Sequence, residues 1–106
     1  EMGLHEDAIA EFRIASGDPK REATAMTMIG VCQSLLGRPD EALVTFRCEL
    51  EKKDLEESAR LALMYEIAKV YEAQGRRDEA LATYNSILQV DPGFADVVDR
   101  IDAMGL

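Results

Sequence analysis

Three stretches of this 106-residue chain repeat one another, and an internal repeat constrains a fold more tightly than composition does. Gly3-Leu4-His5-Glu6-Asp7-Ala8-Ile9, Gly37-Arg38-Pro39-Asp40-Glu41-Ala42-Leu43 and Gly75-Arg76-Arg77-Asp78-Glu79-Ala80-Leu81 align without gaps. Four positions after each shared alanine stands an aromatic: Phe12, Phe46 or Tyr84. The first two copies are 34 residues apart and the second and third 38. A unit of this length is one supersecondary element that cannot bury its apolar face alone, so neighbours stack to share a core.

Between these anchors the core register returns at three- and four-residue spacing, as Met26, Ile29, Gly30 and Gln33, then Met64, Ile67, Ala68 and Tyr71. The spacing predicts helices over 4–16, 20–36, 39–52, 55–74, 77–90 and 93–104, and an all-α fold class. Connections of only a few residues force neighbouring helices antiparallel. Gly37 and Gly75 fall where a helix stops, because glycine enters the left-handed region without a Cβ penalty. Asp18-Pro19 and Asp91-Pro92 each offer a capping carboxylate followed by a proline suited to the first helical position. Asp54 and Glu57 have the form of a capping box. The four residues by which the second period exceeds the first lie near 51–58, and they are expected to lengthen the helix at 55–74 and displace its loop. The last segment sets Phe94, Val97, Val98, Ile101 and Met104 on one face and Asp96, Asp99 and Asp102 elsewhere, as expected of a helix that closes a stack.

Charge and composition exclude several functions. Twelve Lys and Arg against 21 Asp and Glu give a net charge of −9, which repels nucleic acid and anionic membrane surfaces. Cys32 and Cys48 lack the close pairing of metal or redox motifs and read as reduced thiols, Cys32 packed and Cys48 partly exposed. No apolar run reaches a membrane span and no signal segment opens the chain, so a soluble, cytoplasmic protein is expected. The start at Glu1 suggests a segment of something longer. His5, the one histidine, occupies the turn position of Pro39 and Arg77, with no partner that would make it a general base. Close carboxylates such as Glu56 and Glu57 read as solvated surface, the seven glycines are dispersed rather than clustered around a phosphate, and Met2, Met26, Met28, Met64 and Met104 read as core filler. No catalytic residue, cofactor site or metal site is expected.

The registered pattern resembles the tetratricopeptide repeat, a 34-residue helix–turn–helix unit. The best copy runs from Leu61 to Phe94, with Met64, Ile67, Ala68, Tyr71, Gly75, Ala80, Tyr84 and Pro92 at the signature positions. Ala23 to Asp54 supplies Met26, Ile29, Gly30, Gly37, Ala42 and Phe46 in the same places, and Gly3 to Pro19 is a lone second helix with Ala8, Phe12 and Ala15 in register. Gln33 departs from the usual aromatic, Glu49 and Ile87 from the usual alanine, and Asp54 from the closing proline. The resemblance implies helix pairs stacked as a right-handed superhelix: an incomplete repeat over 1–19, repeats over 20–54 and 55–92, and a cap over 93–106.

In proteins of this kind the first helix of each pair lines a concave groove for a partner's peptide or helix. Carried over by position, the groove is Thr24, Thr27, Met28, Val31 and Ser34 from one repeat and Ala62, Tyr65, Glu66, Lys69 and Glu72 from the next. Met28, Ala62 and Glu66 stand where one subclass uses basic and amide side chains to clamp a chaperone's C-terminal carboxylate, so that subclass is not expected. The acidic balance favours a cationic partner. The family look suggests a bacterial scaffold within a larger assembly. The alternative is a structural segment that packs on further repeats or self-associates through the unpaired helix 4–16, whose Leu4, Ile9, Phe12 and Ile14 would lack a cover.

Overall fold

The computed structural model describes residues 19–105. The first repeat copy, His5, and the apolar residues of 4–16 lie outside the described residues. Five helices follow one another: α1 (Pro19–Leu35), α2 (Pro39–Leu50), α3 (Glu57–Ala73), α4 (Arg77–Val90) and α5 (Val97–Ala103). There is no strand among the described residues. The chain turns between α1 and α2 and between α3 and α4 within three residues, too few for anything but antiparallel pairs. Gly37 at φ +78° and Gly75 at φ +75° make those turns possible. The pairs pack α1 on α2 and α3 on α4, α2 joins them through α3, and α1 also touches α3.

Each predicted helix within the described residues forms, and two starts shift. The inserted residues do not lengthen α3, which has the same 17 residues as α1; they stay in the loop 51–56. Asp54 is not a cap: α3 begins at Glu57 after an extended Glu56 (φ −64°, ψ 148°) that makes no side-chain capping bond. Leu55 explains the delay, since its half-buried side chain packs on the core and the non-helical backbone of 55–56 leaves it there. The Arg60 guanidinium closes the base of the loop by donating to the Leu50 carbonyl at 3.3 Å. The last helix likewise starts at Val97 rather than 93, because 92–96 form turns and a bend. The Asp91 carboxylate accepts from the Gly93 N–H at 3.1 Å instead of capping a helix, and Ala95 takes a positive φ of 44°. This path delivers Phe94 edge-on to Tyr65, with ring centroids 5.7 Å apart.

Small and large residues alternate in the core as the repeat requires. Ala42, Ala68 and Ala80 are fully buried where paired helices cross, and Phe46, Tyr84 and Ile87 fill the space beside them. At Gly30 the approach is closest: a Cβ there would lie within 2.8 Å of three ring carbons of Phe46. The departures from the family pattern are all accommodated. Buried Gln33 accepts a hydrogen bond from the Thr45 hydroxyl at 2.6 Å, which replaces the missing ring's packing with a polar tie between α1 and α2. Glu49, 3% exposed in the alanine position, meets the Lys52 ammonium at 3.0 Å, and Lys52 is also paired with Glu22 of α1. The loop after α2 therefore carries the cation that makes a buried carboxylate tolerable. Among the described residues no buried side-chain polar atom lacks a partner.

Candidate partner-binding groove

The contact of α1 with α3 sets the two predicted faces, 24–34 and 62–72, beside each other. Two openings lie along their boundary. The larger, about 780 Å³, has Thr24 and Ala62 in its wall together with Glu22, Glu49, Lys52 and the loop residues Asp54, Leu55 and Glu56. The smaller, about 200 Å³, is formed by Val31, Ser34 and Leu35 from α1, Phe46 from α2, and Glu66, Lys69 and Val70 from α3.

Six of the ten groove positions thus border an opening: Thr24 and Ala62 at one, Val31, Ser34, Glu66 and Lys69 at the other. Met28 is 38% exposed, and the half-buried Thr27 turns its hydroxyl onto the Ala23 carbonyl at 2.7 Å. Lys69 pairs with Glu66 at 3.2 Å and lies 4.7 Å from the centroid of the Tyr65 ring, so three groove side chains hold one another.

Tyr65 and Glu72 have further partners in the C-terminal segment. The Tyr65 hydroxyl donates to the Asp96 carboxylate, and Arg100 donates to Tyr65 at 3.3 Å and to Glu72 at 3.2 Å. Glu72 also accepts from the Tyr84 hydroxyl at 2.7 Å. Burial, and then the Asp96 carboxylate, push the Tyr65 phenol up, with Arg100 working against them. Burial and Glu72 do the same to Tyr84. The Tyr65 hydrogen bond holds Asp96 below the usual carboxylate range. The network makes α5 a continuation of the α3 surface, and Arg77 fastens the far end by donating to the Met104 carbonyl.

The pair α3–α4 and its size alternation coincide with one known repeat. Residues 62–93 match the tetratricopeptide repeat. No curated protein and no solved structure matches the chain. Tetratricopeptide repeats act in protein–protein interaction and are typically non-catalytic. Within the matched repeat, Ala68, Tyr71, Gly75, Ala80 and Tyr84 have the packing and turn roles their positions imply, all but the glycine being buried. Tyr71 is flanked by Arg47 and Arg76 at 5.6 and 4.6 Å from its centroid, which joins the repeat to α2 before it.

Sequence reasoning missed Leu35, Phe46 and Val70 at the smaller opening, and the acidic wall of the larger one. The position of the four-residue insertion was the available signal for the second. Neither cysteine is in a disulfide: Cys32 is buried, which pushes its thiol up, and Cys48 is exposed. Among the described residues no cluster of three His, Cys, Asp or Glu could hold a metal, and no helix is long and apolar enough to cross a membrane.

Proposed function

We propose that this chain is a non-catalytic protein-interaction module whose groove between α1 and α3 holds a peptide or helix of a partner, with a cationic partner favoured by the net charge of −9. The observation that carries this reading is the cleft between α1 and α3, where Val31 and 63%-exposed Leu35 border an opening floored by Phe46 and Val70. Apolar walls left open beside a rim of polar groups are what a bound segment covers.

A photo-reactive amino acid in place of Met28, with exposed Asn85 on α4 as the control position, tests the reading in the cells that make the protein. Cross-links to a defined partner are expected from position 28 and not from 85. Equal labelling from both positions would sink the groove.

A second reading, a structural segment that packs on further repeats or on a second copy, draws support from Val90 and Val98, about half exposed near the end of the helical array. Light scattering that finds a strict monomer at high concentration would remove self-association.

A further inference from the structure

The two openings along the groove differ in chemistry, and the difference specifies what a bound segment carries. The smaller is walled by Val31, Leu35, Phe46 and Val70, and its rim charges Glu66 and Lys69 neutralise each other at 3.2 Å. At about 200 Å³ it falls below the size of a small-molecule pocket, which starts at roughly 300 Å³, and suits a single aliphatic side chain. The larger opening brings together four carboxylates, Glu22, Glu49, Asp54 and Glu56, with Lys52 as the one cation in its wall among the described residues. Lys52 is engaged by Glu22 and Glu49, whereas exposed Asp54 and Glu56 enter no ion pair among the described residues. Their charge stands at the mouth, where a cation is attracted and an anion repelled.

The distance between the two follows from α1. Thr24 lines the acidic opening and Val31 the apolar one, and seven helical residues at about 1.5 Å each separate them by about 10 Å. Three residues of a polyproline-II chain, at about 3.1 Å each, span nearly the same distance and, at three residues per turn, return the side chain to the same face.

Resting on the groove reading above, we propose that the partner is a segment in polyproline-II conformation read at two points: a leucine-sized aliphatic side chain seated in the Val31–Leu35–Phe46–Val70 cleft, and a lysine or arginine three residues from it at the Asp54–Glu56 mouth. The apolar seat fixes the register, and the carboxylates select against acidic segments.

The test uses acetylated, amidated serine–glycine peptides that carry one leucine and an arginine three residues before or after it. Matched peptides have the arginine changed to glutamate, the leucine to serine, or the arginine moved next to the leucine. Each is titrated into the isotope-labelled chain while backbone amide shifts are followed. The leucine–arginine peptide should shift amides in 24–34 and 54–70, bind about tenfold tighter than each matched peptide, and weaken with added salt. The double variant Asp54→Lys, Glu56→Lys alters only exposed side chains and should abolish the preference for arginine while keeping the circular dichroism of the parent. Groove shifts that are equal for arginine, glutamate and displaced-arginine peptides would overturn the two-point register and leave the groove reading standing. Shifts outside the groove, or none with any peptide, would overturn both.

Discussion

Gly30→Ala sets two opposing effects against each other, and the structure decides between them. Alanine is the better helix former, so in the interior of α1 the substitution gains about 1 kcal/mol of propensity. The new methyl, however, would lie within 2.8 Å of Cδ1, Cε1 and Cζ of Phe46, whose side chain is completely buried. Overpacking a core costs about 1–3 kcal/mol. With three ring carbons in the way the cost belongs at the upper end, which leaves a net loss of about 1–2 kcal/mol. At about 4–8 °C per kcal/mol for a domain of this size, the melting temperature should drop by several degrees. Urea unfolding followed by circular dichroism measures the loss, and a double-mutant cycle with Phe46→Leu identifies its source. Shortening the ring removes the clash, so the double variant should lose at least about 1 kcal/mol less than the two single losses added together. A Gly30→Ala protein more stable than the parent, or strict additivity in the cycle, would refute the close approach of α1 and α2.

Ala80→Leu should overpack the α3–α4 pair, where Ala80 is fully buried, and cost about 1–3 kcal/mol in a thermal melt; an unchanged melt would remove Ala80 from the crossing point. Ala95→Gly relieves an alanine at φ 44° and should stabilise the chain by about 0.5–1 kcal/mol, so a loss in urea unfolding would mean that the turn before α5 is misassigned. Tyr84 ionises above its ordinary value because burial and the Glu72 carboxylate disfavour the phenolate. A pKa raised by folding gives stability that is full below the unfolded value of about 10 and lost as pH climbs from there toward the folded value. The melting temperature should therefore fall above about pH 10, and Tyr84→Phe should flatten that fall; an unchanged alkaline slope would contradict the buried Tyr84–Glu72 bond.

Much of the fold within the described residues was legible because the repeat writes packing sizes directly into the sequence. Ala42, Ala68 and Ala80 recur where helices must cross closely, and Gly37 and Gly75 recur where only a positive φ turns the chain in three residues. What was misread depends on contacts between distant parts of the chain. Asp54 and Asp91-Pro92 carry local capping signals, but Leu55 and Phe94 are drawn to the core and to Tyr65, and their packing delays both helix starts. That the chosen residues of 24–34 share one helix face, and those of 62–72 another, was readable from three- and four-residue spacing. That Tyr65 and Glu72 would be engaged by Asp96 and Arg100 was not, since those partners lie about thirty positions away with no register linking them. Buried Glu49 is similar: its tolerance rests on Lys52 folding back from a loop whose path no helical period encodes.

The central claim is that α1 and α3 together form the face that holds a partner. Hydrogen exchange on the full chain, free and bound to the partner captured by cross-linking at position 28, tests it most directly. Slowed exchange concentrated in 24–34 and 62–72, with 77–90 unchanged, is the predicted result. Protection confined to 77–90, or absent from both α1 and α3, would contradict it.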